Sequence, residues 1–306
     1  MSLSARNLLM VGLPETGKTT FLAALYHVVE AGTVPAALQL ASVPAKRDYL
    51  NQIRRTWSSC LAQEHTRAGS RFDVRLSLRD PITNAIAEVV FPDVYGELFN
   101  EQYAHREWAQ EYDDLVSSSV GMLLFLHPAK IRPPATIRER LDLQQELAGS
   151  AQPGPPSVVD RGANSGPTFR AEAPTILPAQ SYSDWTPELA PTQVELVELL
   201  QFIRVRRRDV NVLPLAAVVS AWDLVPEPAP SVEKWVAQQL PLLSQYLVAN
   251  ADAYRTAYYG VSAQGGDLHR DLGELQNRIE PTERIIIVGE GCVAHDLTAP
   301  VRWLMN

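Results

Sequence analysis

Eight consecutive residues, Gly12-Leu13-Pro14-Glu15-Thr16-Gly17-Lys18-Thr19, fit the pattern G-x-x-x-x-G-K-[ST] without a gap. Glycines at those two positions let backbone N–H groups turn inward around phosphate oxygens, and a following helix N-terminus adds a favourable dipole. In that setting Lys18 reaches the β- and γ-phosphates, and the Thr19 hydroxyl ligates Mg²⁺. Pro14, Glu15, Thr16 and Thr20 belong to the same nucleotide-contacting run. The competing reading is a glycine turn that binds nothing, and the flanking context decides against it. An apolar stretch, Asn7 to Val11, precedes the loop, and an amphipathic stretch, Lys18 to Glu30, follows it.

A phosphate loop needs a second metal-holding carboxylate at the end of a neighbouring buried strand. Asp93 follows Val89-Val90-Phe91-Pro92 directly and begins Asp93-Val94-Tyr95-Gly96. In such a D-x-x-G the aspartate holds Mg²⁺ through water and the Gly96 amide contacts the γ-phosphate. The competing reading of Asp93 is a turn aspartate capping the next helix. The pattern by itself is common, and its place after a strand is what gives it weight. His127, at the end of another apolar run, reads as a structural histidine, and the run Arg204 to Arg208 as a solvated helix end.

The elements that must position these residues follow from periodicity. Asn7 to Val11 reads as a strand and Lys18 to Glu30 as a helix. Helical spacing recurs from Lys46 to Gln63, with Tyr49, Ile53, Trp57 and Leu61 on one face. Phe72 to Leu78 and Ala85 to Phe91 alternate around a turn holding Asp80, Pro81 and Asn84, and so predict a hairpin. Val120 to Leu126 is a continuous apolar run of the kind buried on both faces, and Asn211 to Val219 reads as another buried strand. Helices are expected at Thr192 to Arg206, at Ser231 to Ala249 with a break at Pro241, and at Thr298 to Met305. Arg255 to Val261 and Arg284 to Val288 are two more short strands. This alternation implies an α/β fold, a three-layer domain with a mixed, mostly parallel sheet.

Between Pro128 and Pro191 the composition changes. Eleven of the 23 prolines fall there, interleaved with Gly, Ser and Ala. Apart from a short helical stretch at Thr136 to Leu147, such a segment cannot bury enough apolar surface to fix itself. It reads as a mobile insertion in a single domain spanning 1–306.

Bulk composition narrows the partners. The formal net charge of −8 gives no reason to expect nucleic acid or an anionic membrane. Nothing approaches the roughly 20 apolar residues needed to cross a bilayer, and no signal segment is visible. Cys60 and Cys292 match no metal or redox spacing and read as buried or half-buried free thiols, so a cytoplasmic location is expected.

Two further stretches lie at strand ends: Ser220-Ala221-Trp222-Asp223 after one, Ser262-Ala263-Gln264 after another. Their order and setting match the N-K-x-D and S-A-K guanine motifs. With the phosphate loop and D-x-x-G, they make the chain resemble a Ras-like P-loop GTPase of the translation-factor-related class. The proline-rich insertion and the ending Asp296-Leu297-Thr298-Ala299-Pro300-Val301-Arg302-Trp303-Leu304 resemble the bacterial double-GTPase family of predicted conflict systems.

That resemblance implies GTP and GDP as ligands, with Mg²⁺, and a molecular switch that transfers a phosphoryl group to water. It implies that Asp223 accepts two hydrogen bonds from guanine and that the Ala263 amide, beside Ser262, donates to guanine O6. Ser220 and Ala221 depart from the motif, standing where asparagine and lysine are usual. A threonine should reach Mg²⁺ from the region before the hairpin, and Thr66 is the best-placed, ahead of Thr56 and Thr33. Glu97 stands where relatives place the glutamine that orients the attacking water; an exposed helix-start glutamate is as good a reading. The resemblance also implies a protein partner, a second GTPase among the candidates, and slow hydrolysis without it. An ATP-using P-loop enzyme and a nucleotide-gated scaffold with negligible hydrolysis stay open on the sequence.

Overall fold

The structure, a computed structural model, describes residues 6–63, 73–92, 102–107, 110–134, 189–207 and 211–306. In chain order the elements begin with β1 (Arg6–Gly12), α1 (Lys18–Ala31), β2 (Gln39–Leu40) and α2 (Arg47–Ser58). Next come β3 (Asp73–Arg79), β4 (Ile86–Pro92), α3 (Gln110–Ser118) and β5 (Ser119–Leu126). The second half holds α4 (Thr192–Arg206), β6 (Leu213–Ser220), α5 (Val232–Gln239), α6 (Pro241–Ala249), β7 (Tyr254–Ser262), α7 (Leu272–Gln276), β8 (Ile286–Gly289) and α8 (Ala299–Met305).

All eight strands form one sheet in the order β2-β3-β4-β1-β5-β6-β7-β8. The five from β4 to β7 run parallel to their neighbours, and β2, β3 and β8 are added antiparallel. The mixed, mostly parallel sheet is therefore as expected. The expected hairpin is β3–β4, closed by a turn in which Asn84 takes a left-handed φ of 58°. The Asp80 carboxylate accepts the Ile82 amide at 2.7 Å there, which is why Asp and Asn suit this turn.

Side-chain alternation along the central strands divides the core in two. Leu8 and Met10 of β1 join a cluster with α1, α2 and α8, whereas Leu9 and Val11 join one with α3, α4, α5 and α6. The apolar run Leu8 to Val11 thus feeds both faces, which makes three layers.

Local chemistry explains most boundaries. Helices α5 and α6 part at Leu240, whose φ/ψ of −132°/58° is not helical. Pro241 follows, with no N–H to continue the ladder. The segment before α8 is fastened from inside. Asp296 accepts the Ala37 amide (2.9 Å), the Thr298 amide (2.8 Å) and the Thr298 hydroxyl (2.5 Å), and the Thr298 hydroxyl oxygen accepts the Leu38 amide (3.1 Å). The Asp296 to Leu304 stretch is thus a buried clamp between the chain's last helix and the segment after α1.

Several expectations need correction. Helix α2 stops at Ser58 rather than Gln63, so Leu61 leaves the Tyr49–Ile53–Trp57 face and is 60% exposed. The last strand starts at Ile286, because Arg284 sits in a short turn of 3₁₀ helix, Pro281–Arg284. Strand β2 and helices α3 and α7 were not foreseen; each is short or weakly patterned. Cys60 is buried and Cys292 half-buried, both free, as expected. Among the described residues, no helix is long and apolar enough to cross a membrane. The expected helix at 136–147 and most of the proline-rich stretch lie outside the described residues.

Candidate functional site

The Gly12–Thr19 run joins β1 to α1, as its pattern requires. Gly12 and Gly17 have φ of 154° and 82°. At Gly12 a Cβ would lie 2.8 Å from the Phe125 carbonyl oxygen of β5, so the loop crosses too close to the sheet for any side chain. Gly17 is the N-cap of α1. No side chain caps this helix and its first turn carries no acid. Its first N–H groups are left to an incoming anion.

Lys18 spans the loop. Its Nζ donates to the Gly12 and Leu13 carbonyls, both at 2.7 Å, and to the Thr16 hydroxyl oxygen at 3.3 Å. The side chain as a whole is half-buried, but its ammonium end is enclosed, and burial lowers its pKa to about 7. A phosphate group would supply the missing negative charge and restore full protonation. Thr16 is buried and its hydroxyl donates to the Leu13 carbonyl at 2.8 Å, so it shapes the loop from within. Thr19 and Thr20 are half-buried in the first turn of α1, and Pro14 and Glu15 are exposed at the loop's tip. Glu15 pairs with Lys130.

Ser220, at the end of β6, is where sequence and structure diverge most usefully. Its hydroxyl lies 2.8 Å from the Thr16 carbonyl and 3.0 Å from that of Leu126. Sharing one proton between two carbonyls, it ties the loop to the ends of β5 and β6. Ser220, which departs from the motif's asparagine, is therefore buried and bonded rather than idle. Beyond it, Ala221 adopts a left-handed φ of 47° and Trp222–Leu224 form a 3₁₀ turn. Trp222 is buried against Gly260 of β7, where a Cβ would come within 2.5 Å of the indole. Anchored this way, the turn leaves Asp223 exposed beside the phosphate loop.

After β7 the chain turns sharply. The Ser262 hydroxyl accepts the Gly265 amide at 3.0 Å, and the Ala263 carbonyl accepts Trp57 Nε1–H at 2.9 Å. A cavity of about 210 Å³ opens between these segments. It brings Gly17 and Thr20 together with Asp223, Ser262 and Ala263, all five of them expected from the sequence. It also has walls that sequence reasoning missed. Leu61 and Gln63 come from beyond α2, and Asp267 and Leu268 from the loop after β7. Leu61 sits in a helical pattern that points it elsewhere, the other three sit in no recognisable pattern, and only proximity in space places them at the cavity. His127 lines the same cavity. Its Nδ1 accepts the Ala129 amide at 3.2 Å, and burial, followed by Lys130, lowers its pKa. A larger cavity of about 360 Å³ lies on the loop's other flank and contains none of the expected base-contacting residues.

Asp93, Gly96, Glu97 and Thr66 lie outside the described residues. The strand leading to Asp93 is described, however. Strand β4 runs parallel to β1 with Leu9 opposite Val90, so both strands deliver the chain to the same edge of the sheet. For Mg²⁺, the Thr19 hydroxyl is a hard oxygen donor of the right kind, at the helix terminus where phosphates would lie.

A family model described as Double-GTPase 1 matches residues 9–304, nearly the whole chain. No curated protein matches. Among solved structures, the chain is similar to a bacterial selenocysteine-specific elongation factor, EF-Sec, at 11% identity and a TM-score of 0.36. That likeness covers 90% of this chain and 28% of the other, so the chain spans under a third of that factor's length. It is also similar to the signal recognition particle receptor SRb-GTP/SRX complex from Chaetomium thermophilum. There the identity is 11% and the TM-score 0.37, over 85% of this chain and 91% of that one.

Proposed function

The chain belongs to the Double-GTPase 1 family, and from that premise we propose a Mg²⁺-dependent, GTP-hydrolysing molecular switch. The observation that carries this reading is one cavity edged by Gly17 and Thr20 on the phosphate side and by Asp223 and Ala263 on the base side. Guanine offers N1–H and N2–H donors to a carboxylate and an O6 acceptor to an amide. Adenine offers neither, so Asp223 would stay unpaired against it.

In this reading the α1 N-terminus and Lys18 hold the phosphates and neutralise charge as it shifts toward the leaving oxygen. The Thr19 hydroxyl, with Asp93 and Thr66, would hold Mg²⁺, which when bound supplies further charge neutralisation at the phosphates. Glu97 would orient the attacking water through its carboxylate. A charged group there serves less well than a neutral amide, so turnover by the lone chain should be slow. A protein partner, in the first instance a second GTPase, would raise it. The fold is proposed as one domain, with the proline-rich stretch as its insertion.

Single-turnover hydrolysis tests this. We expect measurable but slow GTP cleavage by the parent, faster cleavage by Glu97→Gln and none by Lys18→Ala. Hydrolysis that survives Lys18→Ala would contradict the assignment.

A further inference from the structure

The wall of the base cavity contributed by Leu61 and Gln63 depends on how α2 ends. Leu61 N–H donates to the Thr56 carbonyl and Cys60 N–H to the Trp57 carbonyl, at 3.0 and 3.1 Å. Cys60 itself has φ 56°. This is a Schellman stop, and its left-handed position usually holds glycine, because a Cβ there costs about 1–2 kcal/mol. Here a cysteine holds it, so something outside the helix must maintain the turn.

That something is Arg284, a buried arginine, 4% exposed, from the turn before β8. One guanidinium nitrogen donates to the Trp57 carbonyl at 3.0 Å. The other approaches the Ser58 carbonyl at 3.4 Å and contacts the Cys60 thiol. The positive charge thus sits on the final carbonyls of α2, the negative end of the helix dipole. The same guanidinium lies over the Trp57 ring, 4.8 Å from its centroid. Trp57 in turn donates Nε1–H to the Ala263 carbonyl. On its other side Arg284 is against the loop itself, since a Cβ on Gly265 would fall 2.2 Å from the Arg284 carbonyl oxygen. One residue therefore braces two segments that border the cavity, the end of α2 and the 262–265 turn.

We propose that Arg284 is a positioning residue for base recognition, fixing Ala263 through Trp57 while holding Leu61 and Gln63 in place. The proposal rests on the guanine-nucleotide reading above. Among the described residues, the Arg284 guanidinium bonds to the end of α2 and not to the phosphate loop, so its removal should alter the base end of the site selectively.

The discriminating quantity is the ratio of GTP to ATP affinity, measured by titration with Mg²⁺. The two nucleotides share ribose and phosphates, so a general loosening lowers both affinities and leaves the ratio unchanged. Arg284→Met and Trp57→Phe should each lower the ratio about tenfold, the scale of one lost well-placed hydrogen bond. Arg284→Lys should recover little, because a point charge cannot fork across two carbonyls and a ring. If Arg284→Met does not fold, Trp57→Phe, which keeps a ring and deletes one N–H, decides alone. A ratio unchanged in the folded variants would overturn the proposal. A parent that shows no preference for GTP would instead remove the reading on which the proposal stands.

Discussion

The Ser220 hydroxyl lies 2.8 Å from the Thr16 carbonyl oxygen, 204 residues earlier in the chain. It fastens the phosphate loop to the strand end that carries Asp223, so the two ends of the cavity are held at a fixed separation. Ser220→Ala leaves buried carbonyls without that donor and should destabilise the fold by about 1–2 kcal/mol. Urea unfolding would measure it. Nucleotide affinity should fall several-fold in the same variant, as the loop gains freedom that binding must then remove. Unchanged affinity would mean the loop is held by the backbone alone.

Lys18 gives a prediction about pH in the nucleotide-free protein. Its folded pKa is lowered to about 7 by burial, from an ordinary 10.5. Between those values the unfolded chain binds the extra proton and the folded chain does not, so stability rises with pH through that window. The slope from this group approaches about 1.4 kcal/mol per unit. Lys18→Met should flatten the rise between pH 7 and pH 9. Denaturant unfolding of both proteins across that range would check it, and equal slopes would count against an enclosed ammonium.

Asp296 carries no expected contact with nucleotide, yet it accepts three hydrogen bonds in the interior. Asp296→Ala should cost about 2–4 kcal/mol by leaving those donors unpaired. Below the new unfolding midpoint, the affinity for GDP should match the parent's. A large loss of affinity with little loss of stability would reverse this assignment and place the C-terminal clamp in the binding machinery.

The phosphate loop was legible because its glycines, lysine and threonine are adjacent in sequence and flanked by one strand and one helix. The central strands were legible for a similar reason, since burial on both faces leaves an unbroken apolar run. Leu61 shows where such reading fails. Its spacing from Trp57 fits a helix, but Cys60 enters a left-handed conformation that its residue type does not announce, and Arg284, more than 220 residues on, holds it there. In sequence Ser220 shows only as a departure from the motif, because the hydroxyl's partners, Thr16 and Leu126, are distant along the chain. Asp93, Glu97 and Thr66 were legible as candidates from motif position alone, and they lie outside the described residues.

The 210 Å³ cavity is proposed to read guanine through Asp223. Competition binding with GTP, ATP and XTP in the parent and in Asp223→Asn tests it most directly. The parent should prefer GTP. The variant presents an amide where the carboxylate was, so its preference should move to XTP, with GTP weakened by about 100-fold because one hydrogen bond is lost to an opposed pair of donors and the other loses its charge. A variant that keeps the parent's ranking, or a parent that binds ATP as tightly as GTP, would mean that Asp223 does not read the base.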